Sequence, residues 1–482
     1  PMRIRRTLAL MGLLIASLVH AENFTEANTD RAKALIDAAV EAHGGDAMME
    51  DLRTLVVKTR TVNYSVDQSR GTEAPWDTSV NDSVDVIDIE NGVFVNHAKG
   101  TGGGFENHNR TIINGEASYQ LDYRAGTVAG IAEPDYATTS GPFVRVTPAL
   151  LIRTLKEREA NAHFLGETTI DDTDYNVVGF SMTVGPAISL YLEKGTNLLR
   201  RSERVFPGFG LVEYRFDDYE TRNEVPYNRG FTLYLNGDVN LEREIKSLSV
   251  NVPIDDYLAV PEKFVAVPEV QPDPLSRQEL SEGVWLIGGN GTYAMFVDMG
   301  DYIFAAGGTA GIPDRIDSLR EVVGDKPLRY GMMTHHHFDH VLGVPAYEEE
   351  GATVIAATAH ERIVRRAAAS GETLDLQLVD DKFVLENDGR RVEIVDIGPT
   401  AHTEHLLVAW LPEEGILFEA DHFAMPAAGP VPPAVTSTKT FAKALEKQGF
   451  KVKLIASAHS AKPGTPEDLA QALQTEVFQA RR

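Results

Sequence analysis

The sequence predicts a multidomain protein of the mixed α/β (α+β) class. Its 482 residues exceed one ordinary domain, and 43% of them are hydrophobic, which is enough for extended cores. Segments rich in β-branched and aromatic residues dominate the N-terminal half, which predicts a mostly antiparallel β-rich domain. Strand-like and helix-like segments alternate in the C-terminal half, which predicts a domain with both kinds of element.

The first 21 residues have the pattern of a secretory signal peptide. Arg3, Arg5 and Arg6 precede an apolar run at 8–19, and the small residues ending at Ala21 suit cleavage there. The apolar run is shorter than the roughly 20 residues that span a bilayer. We therefore expect a periplasmic or secreted protein without a membrane span once the signal is removed. An uncleaved N-terminal anchor is the alternative.

Residues 22–254 are predicted to form a β-rich accessory domain. A helix is expected in the first part of 31–50, where alanine and leucine recur at helical spacing until Gly44-Gly45. A second helix is expected at 147–160. Strands are predicted at 55–64, 83–95, 110–123, 175–182, 188–192, 198–205, 210–219 and 231–235.

Residues 255–278 are predicted to link two domains. Four prolines lie in this stretch, a density typical of a linker or of a strap across a domain surface. The second domain is predicted over 279–482. Its strands are expected at 283–288, 293–298, 302–306, 330–334 and 353–356, and its helices at 313–323, 360–369, 438–447 and 466–478.

The most informative segment is THHHFDH, residues 334–340. Neutral imidazole and carboxylate are the ligands that zinc and related metals prefer. If the start of the segment is extended, His335 and His337 project to one side and His336 to the other. The aspartate and the last histidine follow where the chain must turn, so they can face the same point. The spacing favours two adjacent metals over one.

This segment resembles the HxHxDH signature of the metallo-β-lactamase superfamily. Later segments resemble the rest of that family's ligand set in the same order: 398–403 follows a predicted strand at 392–397, and apolar segments 415–421 and 453–459 end in aspartate and histidine. The resemblance covers roughly 280–474 and implies an αββα sandwich with its metal site at the strand ends. It implies that His335, His337 and His402 hold metal 1, that Asp339, His340 and His459 hold metal 2, and that Asp421 bridges them.

The resemblance implies a metal-dependent hydrolase. Two divalent ions, expected to be zinc with iron or manganese as alternatives, would share a hydroxide at neutral pH. Asp339 is also expected to be catalytic, by orienting that hydroxide or relaying its proton. Family members that open β-lactams usually have cysteine or serine where this chain has Asp421. The aspartate therefore favours a small-molecule ester, lactone or phosphodiester as substrate.

Two other functions remain open. An iron-dependent redox enzyme on the same fold is one, because imidazole and carboxylate ligands also accept iron. An envelope binding protein is the other, with a vestigial metal domain and an apolar ligand held by the β-rich domain. The identity of the bound metal distinguishes the redox enzyme from a hydrolase. The number of metal ions per chain distinguishes the binding protein from both enzymes.

Residues near the predicted ligands receive separate expectations. His336 is expected outside the ligand set, and His360 is expected to be a helix cap or a surface residue. His405 and His422 are candidates for substrate contact or for supporting the ligands. Apolar residues expected either to line a substrate pocket or lid, or to pack in the core, are Phe338, Phe423, Met425 and those of 430–433.

Composition narrows the partners. The net charge of −26 disfavours binding to nucleic acid, which needs clustered lysine and arginine. The chain has no cysteine, so neither a disulfide nor a thiolate contributes to stability, metal binding or catalysis. The N-terminal half is expected to fold without metal, because every predicted ligand lies outside it. The sequence does not indicate an oligomeric state.

Overall fold

A computed structural model describes residues 24–115, 117–206, 210–222, 225–271 and 273–479. The predicted signal peptide, 1–21, and Pro272 of the predicted linker lie outside these residues. The fold is mixed α/β and rich in strands, which confirms the predicted fold class. Each helix in the described ranges is too short or too polar to cross a bilayer.

The strands are numbered in chain order. Those of the N-terminal part are β1 Thr54–Tyr64, β2 Thr78–Asp88, β3 Val93–Gly102, β4 Phe105–Ile113, β5 Tyr119–Asp122, β6 Thr127–Ile131, β7 His163–Ile170, β8 Thr173–Phe180, β9 Ile188–Glu193, β10 Leu199–Phe206, β11 Gly210–Phe216, β12 Tyr219–Arg222, β13 Val225–Asn228, β14 Gly230–Leu235, β15 Asp238–Val250 and β16 Val265–Val270. Those of the C-terminal part are β17 Ser276–Ser281, β18 Val284–Gly289, β19 Thr292–Asp298, β20 Ile303–Ala306, β21 Leu328–Met332, β22 Thr353–Ala357, β23 Leu376–Val379, β24 Lys382–Asn387, β25 Arg390–Asp396, β26 Leu407–Leu411, β27 Ile416–Glu419, β28 Leu454–Ser457 and β29 Ser460–Gly464.

The helices are named by their bounds. The α-helices are Phe24–Ala42, Asp46–Met49, Tyr136–Arg145, Pro148–Glu157, Asp255–Leu258, Ile312–Val323, Phe338–Val341, Val344–Glu349, Glu361–Ala367, Thr436–Gln448 and Pro466–Gln474. Short 3-10 helices lie at Glu159–Asn161, Thr358–His360 and Gly371–Thr373.

The chain forms two compact units. Within the described residues, unit 1 comprises 24–53 with 140–238, and unit 2 comprises 54–139 with 239–479. This partition follows spatial contacts and does not coincide with the predicted boundaries at 254 and 279. Those boundaries concern which segments fold on their own, so they stay predictions.

Unit 1 consists of two packed helices and an antiparallel sheet. The sheet has the order β14-β11-β10-β9-β8-β7, and β12 and β13 form a separate hairpin. Helix Phe24–Ala42 packs on helix Pro148–Glu157. Ile36 and Leu151 in the helices and Leu190 in β9 are fully buried, so apolar side chains of both kinds of element form the core of this unit.

Unit 2 begins with a sheet of the order β16-β6-β5-β4-β3-β2-β1-β15. Its strands are antiparallel except for β16, which pairs in parallel with β6. Strand β16 lies within the predicted linker, so part of that stretch is sheet. Strand β15 was not predicted, because each of its exposed positions carries a charged residue and few of its residues are apolar.

The rest of unit 2 has four layers, which confirms the predicted αββα sandwich. A sheet of strands β17 to β23 faces a sheet of strands β24 to β29 across one apolar core. Helices Ile312–Val323 and Val344–Glu349 cover the outer face of the β17–β23 sheet. Helices Thr436–Gln448 and Pro466–Gln474 cover the outer face of the β24–β29 sheet. Since both faces of these strands are covered, their sequences are continuously apolar rather than alternating.

Candidate metal centre

The motif at 334–340 lies at the end of a central strand. Strand β21 ends at Met332, two residues before the predicted end at 334, and the chain bends before helix Phe338–Val341. The rings of His335 and His337 are nevertheless adjacent, with centroids 4.4 Å apart. His336 lies outside both groups of predicted ligands described below, as expected, and its ring is 4.8 Å from that of His360.

The remaining predicted ligands also follow strand ends on the same edge. His402 lies in the loop after β25, Asp421 follows β27, and His459 follows β28. Asp421 has a φ of 66°, in the left-handed region that non-glycine residues adopt rarely and that is concentrated at functional sites. Loops at one edge of two stacked sheets therefore bring together residues that are far apart in sequence.

All seven predicted ligands fall into two groups. The side-chain atoms of His335, His337, His402 and Asp421 that could bind a metal lie within 4.8 Å of one another, and so do those of Asp339, His340 and His459. Asp421 connects the groups, because its Oδ2 is 2.9 Å from Nε2 of His340 and its Oδ1 is 2.7 Å from Nε2 of His459. The assignment of single ligands to single metals stays a prediction.

Backbone carbonyls orient three of the imidazoles. Nε2 of His337, Nδ1 of His402 and Nδ1 of His459 lie 2.9, 2.9 and 3.2 Å from the carbonyl oxygens of Ser69, Gly103 and Gly291. A carbonyl only accepts, so each of these nitrogens carries the hydrogen. In the neutral form of each ring the opposite nitrogen carries the lone pair, as a metal ligand requires.

One of these opposite nitrogens shows that the site suits a metal. Nδ1 of His337 is buried and has no hydrogen-bond partner among the described residues. A buried polar atom without a partner costs free energy, and a bound cation would remove that cost. The donor set of imidazoles and carboxylates is the one that zinc, iron and manganese accept.

The pKa values separate neutral from charged groups. Burial, together with neighbouring histidines, holds the pKa of His335 and of His337 well below the usual range, so both rings are neutral. Burial would raise the pKa of Asp421, but the surrounding imidazoles outweigh it and hold that pKa well below the usual range. Contact with this carboxylate raises the pKa of His459 to about 9 despite burial. A metal must therefore displace a proton when it binds.

The predicted ligands differ in exposure. His335 and His337 of the first group and His340 of the second are completely buried. The side chains of Asp339 and His459, both in the second group, are 36% and 31% exposed. These two side chains therefore face solvent, and a substrate would approach the centre from their side.

Three supporting residues lie near the predicted ligands. His405 Nδ1 is 2.6 Å from Asp396 Oδ2, and His422 Nε2 is 2.9 Å from the Thr400 hydroxyl. These contacts hold the loops that carry the ligands. Buried Glu419, which was not predicted, accepts hydrogen bonds from the backbone N–H of His422 and of Phe423.

Two further findings change the sequence-based expectations. His360 is the N-cap residue of helix Glu361–Ala367, as one of the two alternatives expected, but its side chain makes no cap hydrogen bond and is 2% exposed, so the surface alternative is wrong. Gln68, which was not predicted, donates from Nε2 to Oδ1 of Asp339 over 2.8 Å. A contact across 271 sequence positions leaves no local signal by which the sequence alone could reveal it.

A cavity of about 340 Å³ adjoins the centre, with Asp421 and His459 in its wall. Phe423 and Pro432 line it, as the pocket interpretation expected, whereas Met425 packs in the core of the second sheet. The other wall comes from strands β4 and β5 and the turn after β5, in the sheet with which unit 2 begins. Its residues there are Phe105, Glu106, Asn107, Asn109, Asp122 and Arg124.

The C-terminal part of the chain is similar to known proteins. Residues 300–459 match the family model described as the metallo-beta-lactamase superfamily. A metallo-beta-lactamase from Pontibacter korlensis is 19% identical, with a TM-score of 0.35, over 42% of this chain and 100% of that one. The enzyme FIM-1 from Pseudomonas aeruginosa, in a mono-zinc form, is 21% identical, with a TM-score of 0.34, over 42% and 94%.

A metallo-beta-lactamase from Hirschia baltica is 21% identical, with a TM-score of 0.32, over 41% of this chain and 96% of that one. No curated protein matches the sequence. Membership of this superfamily supports a metal-dependent hydrolase in general terms. The C-terminal part of the chain, over residues 300–459, belongs to the metallo-beta-lactamase superfamily.

Proposed function

We propose that this protein is an exported hydrolase with a dinuclear metal centre, zinc being the expected metal, and that it acts on an ester, a lactone or a phosphodiester. The observation that carries the proposal is the meeting of seven metal-binding side chains in two groups that Asp421 joins. A site for one metal would not need the second group.

Each predicted ligand has a separate proposed role. His335, His337 and His402 would hold one ion, Asp339, His340 and His459 the other, and Asp421 both. Two bound ions supply a Lewis acid and a nucleophile at neutral pH. Asp339 is the partly exposed carboxylate of the centre, and Gln68 already occupies its Oδ1. Oδ2 of Asp339, 3.3 Å from Nε2 of His340, is therefore the atom that would bind the ion, and the carboxylate held in this way would orient the attacking group.

The cavity favours an uncharged substrate within the proposed classes. Its apolar lining, which includes Phe105 and Phe423, suits an acyl or alkyl group. Arg124 lies 3.6 Å from Glu106, so this cation is already paired. Asp122 adds a second carboxylate to the lining. This charge balance favours an ester or lactone over a phosphodiester.

Export rests on the N-terminal sequence. The basic residues, the apolar run and Val19 and Ala21 before the expected cleavage position have the pattern of a cleaved signal. The absence of cysteine is compatible with an oxidising compartment, because no thiol is exposed to uncontrolled oxidation there.

Alanine variants of two ligands test the function. Asp339→Ala and His402→Ala should each lower the metal content and reduce hydrolysis of esters or lactones at least 100-fold, as loss of a ligand does to a metal catalyst. His163→Ala, an exposed histidine of unit 1, is the control and should change neither. Unchanged metal content and activity in both ligand variants would refute the proposal. Elemental analysis of the same samples distinguishes zinc from iron, and thus a hydrolase from a redox enzyme.

A further inference from the structure

Two segments of the first sheet of unit 2 contact the predicted metal ligands. One is the β1–β2 loop, residues 65–77, and the other is the β3–β4 tip, residues 102–105. We infer that both segments belong to the metal centre and that they position His337, Asp339 and His402 for metal binding. The inference rests on the proposed metal centre and adds positioning residues that lie 268 to 299 positions before the ligands in sequence.

The β1–β2 loop fixes the tautomer of His337. The carbonyl oxygen of Ser69 accepts the hydrogen bond from Nε2 of His337 at 2.9 Å. Ser69 is itself held in place, because its hydroxyl donates to the carbonyl of Ser65 and accepts from the N–H of Asp77. The carbonyl that orients the ring is therefore fixed, and Nδ1 of the ring stays free to bind a metal.

The same loop is attached to the segments that carry the ligands. The N–H of Phe338 donates to the carbonyl of Asp67, and the N–H of Glu404 donates to the carbonyl of Arg70. Asp67 also forms an ion pair of 2.8 Å with Arg366. These contacts connect the loop to residues adjoining Asp339 and His402, so the loop and the ligand segments are one connected structure.

Gln68 acts through a side chain. Its Nε2 donates to Oδ1 of Asp339 at 2.8 Å. A hydrogen bond to one carboxylate oxygen restricts rotation of the group and directs the other oxygen. Gln68 is thus a positioning residue, because it acts on the centre through Asp339.

The β3–β4 tip orients His402. The carbonyl of Gly103 accepts from Nδ1 of His402 at 2.9 Å, and the ring of Phe105 meets this imidazole edge-on at 5.0 Å. Gly104 has a φ of +82°, and a Cβ there would lie 3.1 Å from Ser437 and 3.2 Å from Ala401. Only glycine allows the tip to approach this closely.

A pair of Gln68 variants tests the side-chain contact. Gln68→Ala removes the side chain, and Gln68→Met keeps its length but cannot donate. Both should weaken binding of one of two zinc ions by 10- to 100-fold, the usual effect of losing a hydrogen bond to a ligand, in competition with a chromophoric chelator. The visible spectrum of the cobalt-loaded protein should change as well. Gln278→Ala, on exposed strand β17, is the control.

Two glycine variants test the tip. Gly104→Ala and Gly92→Ala introduce the same left-handed strain, since φ is +82° and +62°, but a Cβ at Gly92 meets nothing within 4 Å. Gly104→Ala should weaken zinc binding by 10-fold or more and change the cobalt spectrum. Gly92→Ala, in the β2–β3 turn, should leave both unchanged, so strain in the sheet alone does not explain a loss.

The outcomes separate this inference from the proposed function. Two zinc ions bound by every variant with affinities within twofold of the unmodified protein would overturn the inference and leave the function standing. Weaker zinc binding would also overturn the inference if the metal-free Gln68 variants melted at a lower temperature than the metal-free unmodified protein. The substitution would then have changed the fold rather than the position of the ligand. No zinc in the unmodified protein would overturn both.

Discussion

Asp421 is the residue on which the proposed centre depends most. Its Oδ2 lies 3.1 Å from the ring nitrogens of His335 and of His402, and its two oxygens reach His340 and His459. One carboxylate thus contacts four imidazoles from both groups. A carboxylate in this position neutralises charge in both halves of the site and fixes the separation between them.

Replacing Asp421 by asparagine should therefore remove metal from the site. Asparagine has nearly the same shape but no charge, so the variant should retain fewer than one ion per chain, against two for the unmodified protein. Elemental analysis after gel filtration measures this. Circular dichroism of the same sample controls for folding. Two retained ions would show that Asp421 does not bridge.

His43 in unit 1 makes stability depend on pH independently of any metal. Its ring is buried, with Nδ1 2.7 Å from the carbonyl of Ala39, and Nε2 accepts from the N–H of Leu199. Burial lowers the pKa of His43 to about 4, although the bond to Ala39 opposes the shift. The neutral form is favoured in the folded state, so its stabilisation is complete above about pH 6.5, the value for an unfolded chain.

This stabilisation should decrease as the pH falls from about 6.5 to about 4, by about 3 kcal/mol in total. Urea unfolding of unit 1 followed by far-ultraviolet circular dichroism measures the change. His43→Gln cannot take up a proton and should be less sensitive to pH across this range. An NMR titration that gave His43 a pKa near 6.5 would contradict the argument.

At this scale, the structure brings the seven predicted ligands together, whereas the sequence revealed little of their surroundings. His335 to His340 lie within one short motif, and the later ligands end apolar strands, so each leaves a local pattern. Gln68 and the carbonyl of Gly103 leave none, because only folding brings them to the site. The burial of His360 was missed for the same reason, since this side chain packs against distant His336 and His405.

Among the elements, the strands that turn at Asn-Gly show what a local pattern can and cannot give. The predicted strands 83–95 and 110–123 are each two strands, separated at Gly92 and Gly115, where φ is +62° and +53°. The Asn-Gly pairs were visible in the sequence and are strong hairpin signals. Strand β15 could not be predicted in this way, because its pairing with β1 and not its own pattern makes it a strand.

Strand β20 illustrates how the core supports the sandwich. Phe304 is fully buried between the two sheets. Phe304→Ala should lower the free energy of unfolding by about 3–5 kcal/mol, because it removes apolar contacts and leaves a cavity. Val322→Ala, at a side chain 48% exposed, should change it by about 0.5 kcal/mol or less. Urea unfolding followed by tryptophan fluorescence measures both, and equal losses in the two variants would contradict the position of Phe304.

Across the whole molecule, the two units combine segments that are not contiguous in sequence. Residues 54–139 belong with the metal-binding part in unit 2, whereas 140–238 belong to unit 1. Composition and proline content change along the sequence, so they predict one boundary between two contiguous domains. They cannot reveal that each unit combines two separate segments of the chain. The expectation that the whole N-terminal half is independent of metal therefore needs revision, because Ser69 and Gly103 touch predicted ligands.

Metal removal should accordingly affect one unit more than the other. All three tryptophans, Trp76, Trp285 and Trp410, lie in unit 2, so their fluorescence reports on that unit. A chelator should lower the melting temperature seen by fluorescence, because metal bound to the native state stabilises it by mass action. The unit 1 transition, followed by circular dichroism, should not move. Parallel shifts of both transitions would contradict the assignment of the metal to unit 2 alone.

The most direct test of the account is the metal content of the purified protein, measured by elemental analysis together with protein concentration. Two divalent ions per chain, expected to be zinc, would agree with two groups of ligands joined by Asp421. No bound metal, even after reconstitution with zinc, iron or manganese, would contradict the proposed centre and the hydrolytic function with it.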